Sequence, residues 1–162
     1  MPEQEVIDRA KRDKEEGKSP STQAGEFVRE EMHHIREGKH GAANTKQAIA
    51  IGLSKARRAG VELPQPSESN TSERTRKQTE RDSEKARQGN RRPSRTRSRA
   101  VTRALKHEGH SAASPANLSR QAKSVARRRG AGARKAAARR AVRTKGSSGL
   151  RRSARKAAHR RK

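Results

Sequence analysis

The sequence predicts a mostly α protein with extensive disorder and no β-sheet: a small helical hairpin domain followed by a basic, helix-prone tail. Three observations carry this. Only 27% of the 162 residues are hydrophobic and 37% are charged, with Phe27 the sole aromatic. That is too little apolar material for one core to span the chain. Apolar residues recur with the best-formed helical period between residues 22 and 63. The net charge of +26 is also lopsided. Residues 1–90 hold 18 Lys and Arg against 16 Asp and Glu, whereas residues 91–162 hold 25 against Glu108 alone. The first half is therefore near neutrality at +2 and the second stands at +24.

The elements follow in order. Residues 1–18 form a short N-terminal helix or arm, with Val6, Ile7 and Ala10 on one side and Gly17 beyond the end. So short a helix is marginal alone. Ser19-Pro20-Ser21-Thr22 interrupts it and offers caps for the next. The hairpin domain covers 19–63. Val28, Met32 and Ile35 fall at i, i+4 and i+7 beside Phe27, and the stripe stops at Gly38. After the loop KHGAAN, Asn44 and Gln47 have capping-box spacing. Ile49, Leu53 and Ala56 then make a second stripe, Gly60 suits the C′ position, and Val61 folds back on the last turn. The core of such a pair is thin, so a third helix from 2–16, or self-association through 19–63, is expected to cover it.

Residues 64–93 read as a polar, solvated spacer that is helical part of the time. The Glu73–Lys77 and Arg76–Glu80 pairs each add only about 0.2–0.5 kcal/mol. Residues 94–162 are the Arg/Ala-rich tail. Val101, Ala104 and Leu105 line one block. In the next, Ser114 caps, Pro115 takes the first turn and Leu118, Ala122 and Val125 form the stripe. These two blocks are expected to pair as a second small hairpin. Beyond Gly130 the blocks have mostly alanine to bury, and cation repulsion is expected to keep them unfolded until phosphates neutralise it.

A tail with 19 Arg and 6 Lys is suited to phosphate, because guanidinium grips it through a planar fork of donors. Neutralised phosphates release counterions whatever the base sequence. The candidate nucleic-acid-binding residues are Arg91, Arg92, Arg95, Arg97, Arg99, Arg103, Arg127, Arg128, Arg129, Arg134, Lys135, Arg139, Arg140, Arg143, Arg151, Arg152, Arg155, Lys156, Arg160 and Arg161. The expected partner is duplex DNA, bound with tolerance for sequence. RNA is the alternative, disfavoured by the shortage of aromatic side chains on which bases stack. Sequence-specific readout would fall to Lys46, Lys55, Arg57 and Arg58 on the second hairpin helix, but the loop before it is longer than a helix-turn-helix turn.

Glu30, His33, His34 and His40 resemble a metal-ligating set in spacing, and Glu30-x-x-His33 has the i, i+3 step of di-iron bundles. Without carboxylates converging from other helices they read as a polar helix face, with no metal and no cofactor expected. No phosphate-loop, dinucleotide, nucleophile-elbow or zincin motif is present, so an enzyme is not expected. There is no cysteine, which excludes disulfides and thiolate metal sites. The longest apolar run, AIAIGL, is far too short to span a membrane, and the N-terminus lacks the apolar region of a signal peptide. A cytoplasmic, nucleoid-associated location is expected.

The segment EFVREEMHHIREGKHGAANTKQAIAIGLSKARRAGVELP resembles a small bacterial domain family of unknown function. Members of that family share a K/R-Q-A-I-A-I-A/G-L-S-x-A-R-x-A-G helix after a loop containing glycine and lysine. The likeness spans about 40 residues, and Lys46 to Gly60 is its most specific stretch. Members are often labelled DNA-binding, so the resemblance implies a helical, DNA-associated protein. The Ala/Arg/Lys tail is similar in composition to those of bacterial histone-H1-like proteins. The expected function is therefore non-specific DNA binding of the architectural kind. An RNA- or ribosome-associated binder, or an interaction adaptor anchored by its tail, are the rival readings.

Overall fold

The computed structural model describes residues 2–66, 71–89 and 94–159, apart from the side chains of 144, 145, 153, 156 and 157 within the last helix. Every described element is helical: α1 (Gln4–Glu15), α2 (Pro20–Arg36), α3 (Thr45–Arg58), α4 (Glu73–Arg87), α5 (Arg95–Lys106), a 3-10 turn (Ser111–Ala113), α6 (Pro115–Arg128) and α7 (Gly130–His159). No strand occurs among the described residues. Two compact units are present, Met1–Leu118 and Ser119–Lys162.

The hairpin of α2 and α3 organises the first unit. Asn44 caps α3 by accepting from the Gln47 amide at 2.9 Å, and the Gln47 side chain returns to the Ala43 amide at 2.7 Å. This is a capping box displaced by one residue. At the far end, Gly60 N–H donates to Arg57 O and Val61 N–H to Ala56 O, both at 3.0 Å. That pair of bonds is a Schellman motif, and it turns Val61 back onto Ala56 as the sequence suggests.

The two helices approach very closely at Gly52. A Cβ there would lie 2.8 Å from Val28 Cα and 3.1 Å from Phe27 O. Glycine is required by the space, not by its backbone angles. The crossing divides the apolar residues into two small cores. One gathers Val6, Ala10, Ala24, Phe27, Ala56 and Val61, with Ile7, Leu53 and Leu63 at its edge. The other gathers Met32, Ile35, Ala42, Ala48, Ala112 and Ala113, with Val28, Ile49 and Leu118. The chain thus covers its own hairpin: α1 closes the first core and the 3-10 turn closes the second.

Four expectations need correction. Residues 94–118 do not belong to a detached tail, because the α2–α3 loop takes up their backbone. Gly41 N–H donates to Leu105 O and Ala42 N–H to Gly109 O. Thr45 Oγ1 and Arg36 Nε donate to the carbonyls of Ala112 and Ala113. A Cβ on Gly41 would run into Glu108 O, so this docking too depends on glycine. Nor does the α5 stripe pair as half of a second hairpin, for Val101 is 54% exposed and no α5 residue is buried. The 3-10 turn provides the buried apolar contact in its place. Ser114 does cap α6, accepting from Asn117 N–H at 3.2 Å, with Pro115 as first residue.

The spacer is likewise docked. α4 packs on α3 through polar groups that carry no hydrophobic period. Asp82, 2% exposed, accepts from Ser54 Oγ at 2.5 Å and Gln78 Nε2 at 3.2 Å, and pairs with Arg58 Nε at 3.4 Å. Thr79 is buried against Gln65, its Oγ1 donating at 2.6 Å. Finally, α7, expected to be unfolded by repulsion, is helical on both sides of a break at Gly146. The helix propensity of its alanines and arginines exceeds the repulsion of neighbouring cations.

Three outcomes follow. Gly52→Ala should destabilise the chain by about 1–3 kcal/mol through overpacking. Gly25→Ala in α2, where a Cβ meets nothing, should be neutral or stabilising by up to about 1 kcal/mol. Urea unfolding followed by circular dichroism at 222 nm reads both. Asp82→Ala should cost about 1–3 kcal/mol at the α3–α4 contact alone. Hydrogen exchange should then quicken across residues 73–87 while α2 and α3 keep their protection.

Candidate nucleic-acid interface

The cationic residues proposed from the sequence fall into two groups. Arg95, Arg97, Arg99 and Arg103 lie exposed on α5 in the first unit. Arg127 and Arg128 end α6, and Arg129 follows, all exposed. On α7, Arg134, Lys135, Arg139, Arg140, Arg143, Arg151, Arg152 and Arg155 are exposed. Arg91, Arg92, Arg160 and Arg161 lie outside the described residues, as does the side chain of Lys156.

The second unit is electrostatically extreme. From Ser119 to Lys162 there are 18 Lys and Arg and no Asp or Glu. On α7 the residues Gly132, Lys135, Ala136, Arg139, Arg140 and Arg143 line one open groove. Two small residues and four cations thus stand together along one stretch of helix, a composition suited to phosphate. The Arg134 guanidinium is tied back to Gly130 O at 3.2 Å.

The α3 cations are used differently. Lys55 Nζ lies 2.7 Å from Glu31 Oε2 and 3.4 Å from Glu30 Oε2. Arg58 is bound to Ser54 and Asp82. Arg57 is buried, and that burial draws its guanidinium below its ordinary value, opposed by Asp82. Of the four cations on this helix, Lys46 and Arg58 are at the surface, and Arg58 is held there by Ser54 and Asp82. Such a helix is poorly equipped to read base edges.

A second cluster contradicts the reading of α2 as a plain polar face. Glu30 and Glu31 are buried, at 5% and 0% exposure, while His33 points to solvent. The converging set is Glu31, His34 and His40, adjoined by Glu3 and Glu30. His34 Nε2 is 3.0 Å from Glu3 Oε1, and the Glu3 amide donates to Glu30 Oε1 at 2.6 Å. The His34 contact, with help from Lys39, holds the Glu3 carboxyl below the usual carboxylate range. His40 Nε2 is 3.3 Å from Glu31 Oε1, and its Nδ1 faces Gly41 O at 3.1 Å. The carboxylate that sequence reasoning found missing comes from the start of α1, a tertiary contact invisible in spacing. The docked 3-10 turn did leave a trace: residues 107–119 lack any Lys or Arg inside an otherwise basic tail.

Residues 17–66 match a family of unknown function (DUF6496). The match takes in α2, the loop, α3 and its Schellman end, and therefore Glu30, Glu31, His34, His40 and Lys55. It agrees with the resemblance to a domain family of unknown function. No curated protein and no solved structure matches the chain. Among the described residues no helix is long and apolar enough to cross a membrane.

Lys55→Met should cost about 3–5 kcal/mol, because it strips the cation from two buried carboxylates. Lys46→Ala on the same helix should change stability by no more than about 0.5 kcal/mol. Chemical denaturation of the two variants side by side measures the contrast.

Proposed function

We propose that this protein binds nucleic acid, duplex DNA foremost, without regard to sequence, as a nucleoid-associated architectural protein. The observation that carries the reading is the second unit, with 18 Lys and Arg, no acid, and arginines set at helical intervals along one groove of α7. Such a surface gains affinity by neutralising phosphates and releasing their counterions. The first unit complements it, because its carboxylates engage its own cations: Glu30 and Glu31 meet Lys55, and Asp82 meets Arg58. The half that holds the acidic residues therefore folds on itself instead of competing with DNA for the tail. With Lys55 and Arg57 engaged in packing and the exposed Arg58 paired with Asp82, base-specific readout has little to work with, and tolerance of sequence follows. Its place in the cell would be the cytoplasmic nucleoid, and no catalytic step is assigned.

Fluorescence anisotropy against labelled duplexes over a range of salt concentrations tests this. With about eight phosphates neutralised, log K against log[salt] should have a slope near roughly −7, equal for unrelated sequences. Replacing Lys135, Arg139, Arg140 and Arg143 by Ala should make that slope shallower by about three. A flat salt response, or one duplex preferred a hundredfold over others, would overturn the reading. Structured RNA displacing the duplex at equal concentration would transfer the function to RNA.

A further inference from the structure

The carboxylate–imidazole cluster beneath the α2–α3 loop is the strongest feature that nucleic-acid binding leaves unused. Glu31 is fully buried, yet neither of its oxygens has a donor in hydrogen-bonding geometry, despite the nearness of Lys55 and His40. Lys55 supplies one cation to this buried carboxylate, at 2.7 Å from Oε2, and a second partner on the His40 side would complete its surroundings. The orientation of His40 sharpens the point. Gly41 O can only accept, so His40 Nδ1 donates to it and Nε2 is the ring atom left to face the cluster. That nitrogen lies 3.3 Å from Glu31 Oε1, outside hydrogen-bonding geometry. A positive charge shared by the two atoms, a proton or a metal ion, would satisfy both.

From these observations we infer that Glu31, His34 and His40 form a site for a divalent transition metal of borderline softness, zinc above all. Their ligand atoms all lie within 4.8 Å of one another, so small side-chain adjustments bring three donors around one ion. Two imidazoles and one carboxylate are a ligand set that zinc accepts, while magnesium and calcium prefer oxygen alone. The backbone carbonyl on His40 Nδ1 is the outer contact that fixes a ligating histidine with Nε2 toward the metal. Charge favours the ion as well. The carboxylates of Glu3, Glu30 and Glu31 outnumber Lys39 and Lys55 by one with the imidazoles neutral. A net negative pocket therefore sits inside a protein of charge +26. Because His40 precedes Gly41 and Ala42, whose amides hold Leu105 and Gly109, the metal would clamp the loop that retains the α5–3-10 segment.

The test uses the full chain, freed of nucleic acid by nuclease and high salt. Cobalt(II) should give visible d–d absorption at one ion per chain, which zinc then removes, and zinc should raise the melting temperature. His40→Asn, in a loop, and Glu31→Gln should each weaken zinc binding by about 10- to 100-fold. His33→Asn, on the exposed side of the same helix, should bind zinc as the parent does. Helical circular dichroism confirms that each variant is folded, and His40→Asn decides the matter should Glu31→Gln fail to fold. No cobalt absorption, binding that survives His40→Asn unchanged, or an equal loss in His33→Asn would overturn the site.

Discussion

The close crossing of α2 and α3 at Gly52 is the constraint on which the first unit depends. This chain has few large apolar side chains, and a hairpin held at ordinary helix separation would leave them unable to meet. Backbone contact at Gly52 brings Val28 and Phe27 against α3 and splits the apolar residues into two groups, one at either side of the crossing. Neither group is large enough to be closed by two helices. Each therefore recruits a segment from elsewhere in the chain, α1 on one side and the 3-10 turn on the other. Alanine makes up much of both cores, so fit depends on close approach more than on bulk.

Charge does the remaining work of assembly. Glu30, Glu31 and Asp82 are buried, and a buried carboxylate holds its neighbours in place because leaving it unpaired is so costly. Lys55 joins α3 to α2 through the two glutamates, and Asp82 joins α4 to α3 through Ser54 and Arg58. In a chain so poor in hydrophobes, polar groups thus specify which helices pack together. The same economy separates the two halves. Acidic residues are confined almost entirely to the part that folds on itself, and the second unit is left with cations alone. The buried histidine–carboxylate group beneath the loop belongs to this pattern, for it too gathers charge where the loop needs anchoring.

Helix punctuation and apolar stripes determined the local structure from sequence alone. Asn44 with Gln47, Gly60 with Val61, and Ser114 with Pro115 each act within a few residues, and all appear in the structure in those roles. The all-helical class and the surface position of the described tail arginines follow from the same short-range rules and from composition. Only the tertiary structure decided what lies against what. Glu3 reaches Glu30 and His34, Asp82 reaches Ser54, and Ala112 and Ala113 enter the second core. These partners are separated by 27, 31, 28 and more residues, and no period or cap in the sequence encodes such distances. The polar α4 and the basic flank of the 3-10 turn look solvated because hydrophobic pattern registers apolar burial alone. Their docking rests on individual hydrogen bonds and buried charges, whose stabilising effect exists only once the chain has brought both partners together.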